Sequence, residues 1–426
     1  MKLNNKRIFF VGFAFLSISA FWQLYDNIIP LILTRTFSLG DALTGYIMAA
    51  DNILALFLLP LFGSISDKVN TKLGKRTPFI LSGTFIAVIL MFVLALANNT
   101  KSLTVFMVAL AIALVAMGTY RSPAVALMPD VTPKPLRSKA NAIINLMGSL
   151  GGVTTLILIM VLVPKGDHPN YLPLFATVAA IMVMAVILLV LNVNENKVKR
   201  EMVALETEQD KKDNADQSAE GKRLPADVKR SLTFILFSIS LWFMGYNAVI
   251  SAYSRYASNV FQMEGGGFAS PLLLANITAI IAFIPIGFIS SKVGRKKVIL
   301  FGVALLGSCF LALSLFKAMT PLIYIPLGLV GIAWASINVN SYPMVVEMSK
   351  SGDVGKYTGI YYTFSMSAQI ITPILSGYLL QYVGYWTLFP YAALCVALAF
   401  VTMSQVKHGD NKPAIAKGLQ AYDTED

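Results

Sequence analysis

Gly63–Ser64–Ile65–Ser66–Asp67–Lys68–Val69, followed by Gly74–Lys75–Arg76, returns as Gly287–Phe288–Ile289–Ser290–Ser291–Lys292–Val293–Gly294–Arg295–Lys296–Lys297. Each copy of this polar, basic loop follows the second long apolar run in a set of six. The first copy carries four extra residues, Asn70 to Leu73, and the second has Ser291 where the first has Asp67. The same loop at the same place in two sets of runs reads as two parallel halves.

Outward from the loops, the runs are long enough to cross a bilayer, which takes about 20 mainly apolar residues. They fall at 9–33, 42–65, 78–98, 103–128, 139–162, 171–192, 231–254, 270–290, 298–316, 321–346, 357–380 and 385–404. The 426 residues are 56% hydrophobic and only 13% charged, with mean hydropathy +0.67. A soluble domain carries about 25% charged residues. The expected fold is therefore an all-α polytopic membrane protein of twelve transmembrane helices in two pseudo-symmetric six-helix bundles. The runs are too long and too continuously apolar for barrel strands. The first run is followed by more of the same, so it reads as a span rather than a leader.

Domain limits follow: 1–194, a linker at 195–230, and 231–426. The linker holds nine basic and nine acidic residues, including Asp210–Lys211–Lys212–Asp213–Asn214, and reads as a soluble tether. With both ends in the cytoplasm, cytoplasmic segments hold 28 of the 34 Lys and Arg. The opposite side holds five, Arg35, Lys101, Lys165, Arg255 and Lys317, while Arg121 lies within a span. That bias fixes the orientation. Short loops point to a prokaryotic cytoplasmic membrane.

Several function classes drop out. The net charge of +12 is spread over short loops, which argues against a nucleic-acid partner. Cys309 and Cys395 lie in apolar runs as small fillers, and no metal or haem spacing occurs. His168 and His408 both fall in loops, so the spans hold no nucleophile–histidine arrangement; no ATP-binding loop is present either. The chain reads as neither an enzyme nor a cofactor carrier.

In the repeated loop, glycine lets helices approach, and Asp67 at a helix end accepts hydrogen bonds from a neighbouring helix N-terminus or an arginine. Asp130 and Glu347 occupy corresponding places at the ends of spans 4 and 10. Bases follow each: Lys134, Arg137 and Lys139 after the first, Lys350 and Lys356 after the second. These groups form a candidate gate: Gly63, Asp67, Lys75, Arg76, Asp130 and Arg137 in one half, and Gly287, Ser291, Arg295 and Glu347 in the other.

On these residues the chain resembles the major facilitator superfamily over nearly its whole length. Two further stretches are similar to the sucrose-transporter-like and glycoside–pentoside–hexuronide:cation symporter relatives. One is the lengthened loop Ser66–Asp67–Lys68–Val69–Asn70–Thr71–Lys72–Leu73–Gly74–Lys75–Arg76–Thr77–Pro78; the other is Arg121–Ser122–Pro123–Ala124–Val125–Ala126–Leu127–Met128–Pro129–Asp130, continued at Arg137 to Asn141. The resemblance implies sugar uptake coupled to a cation, commonly H⁺.

Charge within a span is expensive and faces a cavity or a partner. Span 1 sets Gln23, Asp26, Asn27 and Pro30 at i, i+3, i+4 and i+7, on one helix face, with Trp22 and Tyr25 nearby. Span 2 holds Asp51 and Asn52, and span 4 holds Tyr120 and Arg121. Asp26, Asp51 and Arg121 are the candidates for proton coupling. Burial penalises an ionised carboxylate and Arg121 favours it, and the sequence leaves that balance open. The remaining spans supply neutral amides and aromatics: Asn141, Asn145 and Ser149; Trp242, Tyr246, Asn247 and Tyr253; Asn276; Trp334, Asn338, Asn340, Ser341 and Tyr342; Tyr361, Tyr362 and Gln369. Such a lining suits a neutral polyol, whose hydroxyls take hydrogen bonds and whose ring stacks on an aromatic. The candidate solute contacts are Trp22, Gln23, Asn27, Tyr120, Asn145, Trp242, Tyr246, Asn247, Asn276, Trp334, Asn338, Tyr361 and Gln369.

The expected activity is uptake of a small neutral polar solute, a mono- or disaccharide, with a coupling cation (H⁺ ahead of Na⁺), by alternating access of a monomer in a lipid bilayer. An exporter of amphipathic compounds would have a more apolar pocket. A non-transporting membrane sensor would need a dedicated partner surface.

Overall fold

Inside hydrocarbon a backbone N–H or C=O has no water to bond, so an apolar run of this length satisfies itself as a helix. A computed structural model describes residues 5–132, 137–166, 168–198, 225–348 and 354–410. Among them stand twelve long helices: α1 (Asn5–Leu31), α2 (Asp41–Lys68), α3 (Thr77–Asn99), α4 (Leu103–Asp130), α5 (Arg137–Leu162), α6 (Leu172–Asn192), α7 (Ala226–Asn259), α8 (Ala269–Val293), α9 (Arg295–Ser314), α10 (Tyr324–Glu347), α11 (Val354–Tyr382) and α12 (Leu388–Ser404). Eleven are long and apolar enough to cross a membrane. The exception, α11, is helical over 29 residues, but its tyrosines, Gln369, Ser365, Ser367 and Thr372 dilute its hydropathy.

The helices match the twelve expected runs, with the largest difference at α7. It begins at Ala226, inside the stretch read as linker, because Pro225 supplies an extended N-cap and nothing after it breaks the helix. The run Asp210 to Asn214 lies outside the described residues, as do Lys134 and Lys350. Past Leu31, α1 continues as a π-turn, Ile32–Thr36. Thr34 Oγ1 donates to the Pro30 carbonyl at 2.8 Å, meeting an acceptor at the widened turn.

The chain divides into two compact units. The first comprises Met1–Ser38, Ala50–Ala215 and Glu264–Ala269; the second comprises Leu39–Ala49, Asp216–Met263 and Ser270–Asp426. The opening turns of α2 thus pack with the second unit. Within the first unit, α1 packs on α5 and α6, α3 on α4 and α6, and α4 on α5. Within the second, α7 packs on α11 and α12, α9 on α10 and α12, and α10 on α11. Adding six to each label of the first set gives the second, which is how a repeated loop at 63–76 and 287–297 appears in three dimensions.

Glycine carries one of these repeated contacts. A Cβ at Gly83 of α3 would stand 2.8 Å from Tyr120 Cβ and 2.9 Å from the Ala116 carbonyl of α4. At Gly302 of α9 it would stand 2.7 Å from Ser336 Cβ and 2.8 Å from the Ala333 carbonyl of α10. Each helix pair closes only because a side chain is missing, as in close-packed membrane helices generally. Gly83→Ala and Gly302→Ala are each expected to lower the thermal-unfolding midpoint of the detergent-purified protein, through an overpacking penalty of about 1–3 kcal/mol. Gly359→Ala, at a position with nothing within 4 Å of the added carbon, should leave it unchanged or raise it. Equal effects at all three positions would refute the packing account.

Candidate functional site

In the first unit, α1 presents Trp22, Gln23 and Asp26 half-buried. The expected polar face divides, because Asn27 and Pro30 are fully enclosed. Asn27 turns Nδ2 back onto the Gln23 carbonyl at 2.9 Å. Asp51 of α2 and Arg121 of α4 are also half-buried. Asp51 Oδ1 accepts from Asn52 Nδ2 at 2.8 Å. Asp26 lies within electrostatic reach of both Asp51 and Arg121, and Asp51 within reach of Arg121. Among the described residues no ion pair within 4 Å ties Arg121 to either acid. Its guanidinium instead stands 5.9 Å from the Trp22 ring centroid, inside the range of a cation–π contact. Three ionisable groups thus share one neighbourhood within the spans without collapsing into a closed pair.

Tyr120 departs from the expected lining. It is buried against Gly83, and its hydroxyl donates to the Ala14 carbonyl at 3.0 Å, tying α4 to α1. Asn145 on α5 is half-buried.

In the second unit the half-buried residues include Tyr246, Asn247, Asn276, Trp334, Asn338 and Gln369. Tyr246 and Trp334 stack with ring centroids 3.7 Å apart and planes 5° from parallel, and Phe243 meets the same indole edge-on at 5.4 Å. The result is a fixed aromatic platform with α7 on one side and α10 on the other. Asn247 and Asn276 each donate to the carbonyl four residues back, at 2.9 Å. Trp242 and Tyr361 depart from the lining. Trp242 is enclosed one turn before Gly245, which packs against Ala392 and Val396 of α12. Tyr361 is buried with its hydroxyl 3.2 Å from Ser341 Oγ, a link between α11 and α10.

The repeated loops each close a clasp inside their own unit. In the first, Arg76 is 4% exposed. Its Nε donates to Asp130 Oδ2 at 2.9 Å and its Nη1 to the Gly63 carbonyl at 3.3 Å. It also donates to Ser66 Oγ and pairs with Asp67. Lys75 Nζ adds a second pair to Asp130 at 3.1 Å. In the second unit Arg295 pairs with Glu347. Ser291 takes no part; its hydroxyl donates to Phe288 O of its own helix at 2.8 Å. Gly287 offers its carbonyl to Ser290. Arg137 caps the end of α4, through the Thr132 carbonyl at 3.4 Å and the Pro129 carbonyl at 3.2 Å, and among the described residues it forms no ion pair. An apolar hollow of 430 Å³ along α3 and α6, lined by Val88, Phe92, Ala176, Val183, Met184 and Ile187, includes none of the candidate residues.

One cluster was not read from the sequence. Arg255 of α7 is fully buried, and its Nη1 donates to Asp41 Oδ1 at 2.6 Å. Tyr385 donates its hydroxyl to Asp41 Oδ2 at 2.7 Å, and the Ala42 amide donates to Gln381 Oε1 at 2.8 Å. Asp41 passes in the sequence for an ordinary first-turn acid, and its partner is 214 residues away. The available signal was Arg255 itself, a base at the end of a long apolar run.

The family model described as Major Facilitator Superfamily matches residues 11–285 and 272–421. An uncharacterized MFS-type transporter of Methanocaldococcus jannaschii is 22% identical over 383 residues, covering 88% of each chain. The sucrose transport protein SUC3 of Arabidopsis thaliana is 26% identical over 152 residues, 31% of this chain and 25% of that protein, so the match spans about a quarter of the plant protein. Among solved structures, the nucleoside transporter NupG superposes with a TM-score of 0.69 at 15% identity, covering 94% of this chain and 100% of that one. The xylose transporter XylE from E. coli gives 0.63 at 13% identity, covering 92% and 94%. Likeness at these identities is likeness of fold.

Removing one partner of a buried ion pair leaves an uncompensated charge, a loss of about 3–5 kcal/mol, whereas replacing both is often neutral. Asp41→Asn should therefore lower the thermal midpoint more than the double change Asp41→Asn with Arg255→Met. If the double variant instead shows the sum of the two single losses, Arg255 is not held in place by Asp41.

Proposed function

We propose, since the chain belongs to the Major Facilitator Superfamily, that this transporter takes up a small neutral polar solute, a mono- or disaccharide, driven by a cation gradient through alternating access. The coupling ion is H⁺ ahead of Na⁺. The observation that carries this reading is the grouping of Asp26, Asp51 and Arg121 inside the spans, half-buried and without an ion pair within 4 Å between base and acid. A charge kept in hydrocarbon without a fixed partner needs water, a proton or cargo to meet it. A carboxylate takes up one proton, so Asp26 is the first coupling site and Asp51 the second. Arg121 supplies the positive charge against which either acid exchanges that proton.

For the cargo, each unit by itself offers half-buried hydrogen-bonding groups, Gln23 and Asn145 in the first and Asn247 and Asn338 in the second, and the second also holds the Tyr246–Trp334 stack. Neutral amides and an aromatic plane match a sugar, which has hydroxyls around its rim and C–H bonds on its faces. The partial match to a sucrose transport protein and the shared fold of a xylose transporter point the same way. The two loop clasps serve as gates on the cytoplasmic side. In this reading both termini lie in the cytoplasm, a sidedness that the excess of basic residues in the loops after the even-numbered spans supports; the carrier sits in a prokaryotic cell membrane and one chain is the working unit.

Proteoliposomes with an imposed pH gradient, or with Na⁺ on one side, assayed with a panel of labelled mono- and disaccharides, test cargo and ion together. The wild type is expected to accumulate at least one sugar under the proton gradient. Asp26→Asn is expected to lose gradient-driven accumulation while still exchanging that sugar across the membrane. Accumulation that survives Asp26→Asn removes the residue from coupling. Uptake of cationic dyes with no sugar flux would replace sugar uptake by the export of amphipathic compounds.

A further inference from the structure

Glu195, three residues past the end of α6, is a carboxylate only 3% exposed among charged loops. Its Oε1 accepts from the backbone N–H of Lys75 at 2.8 Å and of Arg76 at 3.1 Å. Its Oε2 accepts from the N–H of Arg76 at 3.0 Å, and from the N–H and hydroxyl of Thr77 at 3.1 and 3.0 Å. Three consecutive amides at the start of α3 are therefore bound by one side chain 118–120 residues away in the chain. Negative charge at a helix N-terminus is favourable, and so is filling its open donors.

The next residue extends the contact. Asn196 Nδ2 donates to the carbonyls of Thr71 and Lys72 at 2.9 and 3.0 Å. Those carbonyls belong to the four residues by which the first loop exceeds the second. The insertion closes on itself through paired backbone bonds between Thr71 and Gly74, at 3.3 and 3.1 Å. Gly74 has φ +113°, and a Cβ there would run into the Glu195 carboxylate.

The second unit repeats the device with different residues. Asp410, six residues past the end of α12, accepts from the Lys296 N–H at 3.0 Å. Gly294 has φ +102°, and a Cβ there would stand 3.1 Å from both Asp410 oxygens. Gly74, Lys75 and Arg76 of the first loop correspond to Gly294, Arg295 and Lys296 of the second. In both units, then, a carboxylate from the chain leaving the sixth helix binds the same amide, two residues past a glycine of positive φ. The neighbouring base reaches an acid at the end of the fourth helix: Lys75 to Asp130, Arg295 to Glu347.

We propose that Glu195 and Asp410 are positioning residues for the two clasps. Each seats the loop backbone so that Lys75 and Arg76 are aimed at Asp130 in the first unit, and Arg295 at Glu347 in the second. Fixing three successive amides fixes the directions in which the side chains of Lys75 and Arg76 leave the chain. That these clasps act as gates rests on the functional reading above; the seating itself is independent of the cargo.

Hydrogen–deuterium exchange on the full-length protein in lipid nanodiscs reads the seated amides directly and needs no substrate. Glu195→Ala is expected to speed exchange at 75–77 about tenfold or more, the scale of losing hydrogen bonds to a charged acceptor. Glu195→Gln, which keeps one accepting oxygen, should do so by less and serves if the alanine variant fails to fold. Ala87 and Met91 inside α3 should exchange as in the wild type. Asp410→Asn should speed Lys296 and leave 75–77 untouched. The aiming role is read by a double-mutant cycle on the thermal midpoint: Asp130→Asn should lower it in the wild type and by clearly less in Glu195→Ala or Glu195→Gln. Unchanged exchange at 75–77 overturns the seating, and additive midpoints reduce Glu195 to a helix cap with no hold on the clasp.

Discussion

A guanidinium keeps its proton at any ordinary pH, so an arginine taken out of water must be met by an anion, by carbonyls or by retained water. Among the described residues three arginines are enclosed and each meets an acid: Arg76 with Asp67 and Asp130, Arg255 with Asp41, and Arg295 with Glu347. The pairs join different helices, consecutive in the chain at Arg76 and Arg295 and 214 residues apart at Arg255, so the requirement to meet a charge also dictates which helix ends come together. Arg121 is the contrasting case. It is half-buried within α4, has a tryptophan face beside it, and has two carboxylates in electrostatic reach but none within 4 Å. The paired arginines behave as fasteners, whereas Arg121 is held by no such pair.

The same constraint explains why the repeat survives in geometry more than in sequence. Corresponding helices pack on corresponding partners in the two units. Gly83 and Gly302 relieve the same crossing, and Glu195 and Asp410 cap the same loop amide. The side chains doing this differ in length and in their distance from the preceding helix. What recurs is the requirement: a close helix approach, a filled helix N-terminus, a base opposite an acid.

Much of the fold was legible because hydrocarbon thickness imposes a length that apolar runs display openly. Each of the twelve runs is a helix, and the repeated loop marks the two-fold organisation in the sequence itself. The intramembrane charges were legible for the same reason, since Asp26, Asp51 and Arg121 stand out against apolar neighbours. Orientation about the helix axis was not. Tyr120, Trp242 and Tyr361 have the composition of lining residues, yet they are enclosed, Tyr120 against Gly83 and Tyr361 with its hydroxyl on Ser341. Asp41 was hidden because its partner is 214 residues away, and Glu195 because it is one of nine acids in a stretch with nine bases. Composition cannot separate a capping carboxylate from a solvated one when the capped amides lie 118–120 residues away.

The two clasps are unequal. Arg76 is bound by two carboxylates, a hydroxyl and a carbonyl, with Lys75 sharing Asp130. Arg295 has Glu347, and the position that would match Asp67 is Ser291, turned onto its own helix. The seats differ likewise: Glu195 binds three amides and a hydroxyl, while Asp410 binds the single Lys296 amide, supported by Lys296 Nζ on the Ser404 carbonyl at 2.9 Å. Among the described residues, parting the first loop from its partners breaks several charge-assisted bonds, to Asp130 and to the more exposed Asp67, whereas parting the second breaks one ion pair and one amide contact. Hydrogen bonds to charged groups are worth roughly twice neutral ones, so the first loop resists opening more than the second. The two halves therefore share a plan without sharing a stiffness, and the stiffer loop belongs to the unit that also holds Asp26, Asp51 and Arg121.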